Sequence, residues 1–110
     1  MWSWLNHEVK KVHVYQMEKI LRIGIIGDYD PNRASHIATN EALDHAAGEL
    51  AVTADSSWLH TESLDQASTE KTLKQFDAFW CAPGSPYASF NGALNAIRFA
   101  RENGKPFIGT

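Results

Sequence analysis

The 110-residue sequence holds a single cysteine, Cys81, which rules out an internal disulfide and suits a reducing compartment, taken here as the cytoplasm. No apolar run approaches the roughly 20 residues that would span a bilayer. Residues 1–16 (MWSWLNHEVKKVHVYQ) also lack the continuous apolar stretch of a signal peptide. Cations are in short supply: 10 Lys and Arg face 13 Asp and Glu, for a net charge of −3. A broad electrostatic footprint for nucleic acid is therefore not expected. No cysteine and histidine cluster has zinc spacing, so neither a metal site nor a cofactor is expected. Internal repeats and low-complexity segments are absent, and the length suits one domain rather than two.

What is present is the composition of a globular domain, 44% hydrophobic with 4 Trp, 3 Tyr and 5 Phe. Leu21 to Gly27 is a β-branched run that ends in the turn formers Asp28-Tyr29-Asp30-Pro31-Asn32, the pattern of a strand buried on both faces. A helix is expected from about Ala34 to Ala47, stopped at Gly48. Val52, Thr53, Trp58 and Thr61 favour a strand within 50–60. The polar stretch Glu62 to Gln75 has room for one short helix at most. Phe76 to Cys81 reads as a second buried strand running into a dense turn signal, Ala82-Pro83-Gly84-Ser85-Pro86. The last helix is capped by Ser89, carries Phe90, Ala93, Leu94, Ile97 and Ala100 as its apolar stripe, and has Gly104 just past its end. Phe107 to Gly109 form a last strand. This alternation predicts an α/β fold with a parallel, doubly wound (flavodoxin-like) sheet and helices on both faces.

Residues 1–20 are expected to be an extension to a domain at 21–110. Trp2, Trp4, Leu5, Val9 and Val12 fit one face of a short helix. Met17, just before the first strand, alternatively marks an older start, with residues 1–16 peripheral or disordered.

Several chemistries compete for the polar residues. A nucleophilic thiol needs a partly exposed, electropositive setting with a base in reach, whereas Cys81 continues the apolar run Phe79-Trp80 and reads as core. His36 and His45 are nine residues apart, on opposite faces of one helix, and both are expected to face solvent. Asp28 and Asp30 look like the acidic pair of a phosphoacceptor domain, but Lys105 precedes its strand and so belongs to the opposite edge of the sheet. Gly24 to Gly27 is not a dinucleotide fingerprint, and the neighbouring carboxylates repel phosphate. The turn at 82–86 is the best site candidate, because backbone N–H groups of Gly84 and Ser85 at a strand end suit an oxyanion. A tight strand-to-helix turn with no further role is the competing reading.

Taken in order, these segments resemble the glutamine amidotransferase domain of CTP synthases. Ile23 to Tyr29 followed by Glu41-Ala-Leu-Asp-His-Ala46 is similar to that family's "GKY" strand end and "EALxHA" helix. Phe76 to Gly84 is similar to "FDGILVPGGFG", and Ala96 to Gly109 to "AIxYARExxxPFLGIC". The resemblance spans about residues 21–110, the N-terminal half of a class I (triad-type) domain. It implies glutamine as substrate: a cysteine attacks the side-chain amide, a histidine and a glutamate assist, and ammonia is delivered to a synthase site that aminates UTP.

On that resemblance, Gly84 matches the first glycine of "PGG" and Ser85 replaces the second, so their backbone N–H groups are the expected oxyanion and glutamine contacts. Pro86 and Tyr87 stand in place of "FG". Asp28 stands where the family has a lysine and Ser89 roughly where it has an arginine, two residues that help receive the GTP activator. The nucleophile is expected directly after Thr110, and the family's histidine and glutamate later still. The expectation is therefore a truncated, inactive half with an incomplete sheet prone to self-association or to pairing with a second chain. The alternative is a non-catalytic α/β binding or regulatory module.

Overall fold

The computed structural model describes residues 20–83 and 87–110, and the readings made for residues 1–19 lie outside them. Four strands, β1 (Ile20–Ile26), β2 (Thr53–Leu59), β3 (Ala78–Cys81) and β4 (Phe107–Gly109), form one parallel sheet in the order β2-β1-β3-β4. Three helices join them: α1 (Ala34–Glu49), α2 (Thr69–Leu73) and α3 (Phe90–Glu102), with a 3-10 helix at Thr61–Leu64. The expected parallel α/β architecture is therefore present. From β1 the chain crosses one way to β2 and later the other way to β3. Crossovers of one hand then put the connecting helices on opposite faces.

Register shows which residues meet each layer. Ile25 lies beside Trp58 on β2 and Trp80 on β3, and Trp80 lies beside Ile108 on β4. Side chains alternate along a strand, so these share the face under α1, with Ile23 and Ala78. Ile26, Leu59, Phe79 and Cys81 point the other way. With Leu64, Leu73, Phe76, Ala93, Ala96 and Phe99 they make the main core beneath α2 and α3. Phe79 meets Phe76 and Phe99 edge-on, at ring separations of 5.9 and 6.1 Å.

Among the described residues, α1 covers β1 and β2 and no element covers β3 and β4 on its side of the sheet. A groove of about 210 Å³ runs there, lined by Ile23, Leu43, Ala78, Trp80, Pro106 and Ile108.

Three local expectations need correction. α1 does not stop at Gly48: it runs on to Glu49 and closes with Ala51 N–H to Gly48 O and Val52 N–H to Ala47 O. Ala51 occupies the left-handed position (φ 54) usually given to glycine, so the stop lies three residues beyond the glycine that signalled it. Between 61 and 75 there are two short turns of helix rather than one. Each is anchored by a buried pair, Thr61 with Leu64 and Thr69 with Leu73, and neither has the length to show a period.

The face of α3 is rotated from the expected stripe. Gly92, Ala93, Ala96, Phe99 and Ala100 are buried, whereas Phe90 is 68% and Leu94 38% exposed. Small residues win this face because α3 is drawn against the 3-10 helix. A Cβ added at Gly92 would lie 1.8 Å from the Thr61 carbonyl oxygen. The ends of α3 are as expected: Ser89 Oγ accepts from Gly92 N–H at 3.0 Å, and Gly104 takes φ 63 while Lys105 N–H returns to Ala100 O.

This contact makes two glycines behave oppositely. Gly92→Ala is expected to cost about 3 kcal/mol, because backbone has to move to admit the methyl group. At Gly48 an added Cβ meets nothing within 4 Å, and Gly48→Ala is expected to gain about 0.5–1 kcal/mol from helix propensity. Urea unfolding of the two variants side by side measures both effects.

Candidate functional site

In a doubly wound sheet the crevice opens at the carboxyl ends of the two strands from which the chain leaves in opposite directions, here β1 and β3. The described residues at this edge are Gly27 to Asn32 after β1, and Ala82, Pro83 and Tyr87 to Ser89 after β3. The ladder extends into both: Gly27 N–H donates to Leu59 O at 3.1 Å, and Ala82 N–H donates to Ile26 O at 3.0 Å. Beyond β4, Thr110 N–H reaches Cys81 O at 3.1 Å, so that strand end joins the same rim. Gly84 and Ser85, the expected oxyanion donors, lie outside the described residues together with Pro86. Their flanks, Pro83 and Tyr87, are described and sit on this rim.

Asp28 is the polar centre of the rim. Its carboxylate accepts Thr61 N–H at 2.9 Å, Ala88 N–H at 2.8 Å, and the Thr61 hydroxyl at 3.0–3.1 Å. His60 Nδ1 stands 3.7 Å away. Thr61 Oγ1 in turn accepts Ser89 N–H at 2.8 Å. Thus one carboxylate and one hydroxyl join the end of β1, the 3-10 helix and the start of α3. Asp65 strengthens the same junction from its surface, accepting from Ser89 Oγ and Asn91 Nδ2, while Asn95 donates to Leu64 O. Burial pulls the Asp28 carboxyl upward. The N–H groups of Ala88 and Thr61, the Thr61 hydroxyl and the charge of His60 outweigh that and hold it below the ordinary carboxylate value.

Cys81 is buried, as expected for a core thiol. Its Sγ lies 3.1 Å from the Tyr87 oxygen, and Tyr87 donates its own proton to Ala82 O at 2.8 Å. With the phenol proton committed to a carbonyl, the thiol is left to donate to Tyr87. Burial, the hydrogen bond to Cys81, and the nearby thiol and Asp28 charges push the Tyr87 phenol up to about 12, so it is no base for the thiol. The arrangement suits packing, not attack. Lys105 precedes β4 and is thus at the opposite edge from Asp28, in agreement with rejection of the phosphoacceptor reading.

His36 contradicts its expected solvent exposure, whereas His45 on the opposite side of α1 is exposed as expected. Only 2% of the His36 surface is accessible. Its ring lies 4.6 Å from Trp58 and stacks on Tyr29 at 5.9 Å, and Trp58 is itself pinned by donating to Asn40 Oδ1. Nδ1 accepts Asp30 N–H at 3.0 Å and Nε2 lies 3.2 Å from Pro83 O. A nitrogen that accepts from an amide carries no proton, so in this neutral ring Nε2 is the donor to Pro83. The aromatic residues Tyr29 and Trp58, each near a strand end, were the signal that a planar polar ring belonged between them.

No family model matches the chain. A CTP synthase of Methanothrix thermoacetophila is 33% identical over 106 residues, 87% of this chain and 19% of that protein. Another, from Methanothermobacter thermautotrophicus, is 37% identical over 92 residues, 84% of this chain and 17% of that protein. A solved structure, the Trypanosoma brucei CTPS glutaminase domain with bound acivicin, aligns with a TM-score of 0.71 at 22% identity, covering 81% of this chain and 35% of that one. The fold thus matches that of part of a glutaminase domain, a parallel α/β sheet with a switch point between β1 and β3. The chain is related in sequence to CTP synthases over most of its length, and it spans less than a fifth of the length of those relatives.

The depressed Asp28 carboxyl gives a signed pH dependence. Its contribution to stability is present in full above the unfolded value, about 3.9, and is lost as pH falls through the lower folded value. Asp28→Asn, which cannot accept at both oxygens, is expected to be less stable at pH 7 and to show a flatter loss between pH 5 and pH 2. Denaturant midpoints of both chains across that range check this.

Proposed function

We propose that the chain is the N-terminal half of a CTP-synthase-like glutamine amidotransferase domain, with residues 1–20 an extension and 21–110 the half-domain. In this reading the turn at 82–86 receives the glutamine side chain, and the backbone N–H groups of Gly84 and Ser85 take the developing oxyanion. The observation that carries it is the coincidence of that turn with the carboxyl end of β3 at the switch point, in a chain similar to CTP synthases over about 85% of its length. The resemblance supplies the chemistry: a cysteine attacks the amide, a histidine and a glutamate assist, and ammonia leaves for an acceptor site. Cytoplasmic pyrimidine metabolism is the setting this implies. Among the described residues no helix is long and apolar enough to cross a membrane.

The one thiol of these 110 residues, Cys81, is packed against Tyr87 and has no place in that chemistry. The chain is accordingly proposed to bind glutamine without hydrolysing it. The purified protein should release no ammonia from glutamine above buffer, and Cys81→Ser should leave that result unchanged. Release that Cys81→Ser abolishes overturns both the inactivity and the packing role of the thiol.

The buried thiol, hydrogen-bonded to Tyr87, also favours the second reading, a binding or regulatory module that keeps the fold alone. Calorimetric titration with L-glutamine separates the two, since the module has no reason to bind it.

Self-association is proposed through the bare strip on β3 and β4, where Ile108 is 56% exposed beside Trp80. Among the described residues β4 also pairs on one side only, so the strip lies beside a strand edge. Sedimentation velocity should show a concentration-dependent dimer that Ile108→Lys shifts to monomer, and a wild-type monomer throughout would count against it.

A further inference from the structure

We propose that the groove between α2 and α3 is a binding site for a small dibasic amino acid, one with two ammonium groups and one carboxylate. It lies away from the carboxyl edge, along the later part of α3, and does not rest on the glutamine reading. The groove holds about 280 Å³, and its lining includes Gln66, Glu70, Asn95, Arg98, Phe99 and Glu102. That falls just short of the roughly 300–1,000 Å³ of sites for drug-sized ligands, so it suits a smaller molecule.

Charge decides which one. Among the described residues of the lining, Arg98 is the one cation, and Glu70 and Glu102 are the anions. Arg98 and Glu102 are four residues apart on α3, hence neighbours on one face, while Glu70 belongs to α2 across the groove. All three are exposed. The ion pairs among the described residues are Arg22 with Asp55 and His60 with Asp28, so these three charges are joined to none. The complement of one guanidinium and two carboxylates is one carboxylate and two ammonium groups, the charge pattern of lysine or ornithine. Glu102 is also the last residue of α3, where the free carbonyls of a helix end favour a cation.

The walls are set before a ligand arrives. Thr69 and Leu73 anchor α2 by its buried side. The Thr69 hydroxyl donates to Gln66 O at 2.7 Å and accepts Gln66 N–H at 3.2 Å, closing the turn that leads into α2. On α3, Asn95 donates from Nδ2 to Leu64 O at 3.0 Å. With its nitrogen end fixed there, Asn95 keeps Oδ1 as an acceptor for an ammonium group. Groups already ordered lose less freedom when a ligand binds.

Titration of the 110-residue chain with L-lysine at constant ionic strength, followed in amide nitrogen–proton spectra, tests this. Resonances of residues 66–73 and 95–102 should shift saturably. The dissociation constant should be on the order of 1 mM, as for a ligand of about ten non-hydrogen atoms in an open groove. Norleucine lacks the side-chain ammonium and lysinamide lacks the carboxylate. Each should bind about tenfold more weakly than lysine, the loss of one charge-assisted bond. Arg98→Gln should weaken lysine by the same factor, while lysinamide binds it no more weakly than it binds wild type. Groove resonances that do not move, or that potassium chloride moves equally, overturn the proposal. So does norleucine or lysinamide binding wild type as tightly as lysine, a comparison that stands whether or not Arg98→Gln folds.

Discussion

The contact between the Asp28 carboxylate and Thr61 is what the rest of the carboxyl edge depends on. Thr61 is fully buried and its hydroxyl serves two directions, donating to Asp28 and accepting from Ser89. Through it the end of β1, the start of the 3-10 helix and the N-terminus of α3 become one unit. Gly92 follows from the same contact, because α3 can approach the Thr61 carbonyl only where a side chain is missing. So does the composition of the helix face, in which alanines displace Phe90 and Leu94 from the interior. Loss of the carboxylate leaves two backbone donors without an acceptor, which is costlier than the absence of a bond between two exposed groups.

The large elements were legible because each has a signal that survives without tertiary context. β1 and β3 are apolar runs bounded by glycine or proline, and α3 is marked at both ends by Ser89 and Gly104. What could not be read depended on packing between elements distant in sequence. Nothing local distinguishes Ala51 as a left-handed residue from the glycine three positions earlier. The stripe on α3 looked right by hydrophobicity and was wrong by proximity, since closeness to Thr61 selects for small residues over large apolar ones. His36 was misplaced for a related reason: its partners Tyr29, Trp58 and Pro83 come together only in the folded sheet. Of the candidate site, the burial of Cys81 was legible, while the Asp28 and His36 contacts at the carboxyl edge were not.

These contacts bear on the comparison with CTP synthases. Asp28 and Ser89 stand where the resemblance places two basic residues that help receive an activator. Here both are committed to internal bonds, Asp28 to Thr61 and Ala88, and Ser89 to Gly92 and Thr61. A carboxylate satisfied by backbone donors presents little affinity to a phosphate, and its charge repels one. The rim is thus ordered by the chain's own groups.

The same clamp has a consequence for the order in which the molecule assembles. It joins Asp28 to Thr61, 33 residues away, and to Ala88, 60 residues away. Closing loops of that length before any sheet exists is entropically unfavourable, so the clamp has to wait until both crossovers are in place. Interactions absent from the transition state govern the rate of unfolding more than that of folding. The carboxylate at the crevice therefore acts as a latch on the native state: late to engage, and influential mainly on how long the fold, once made, persists.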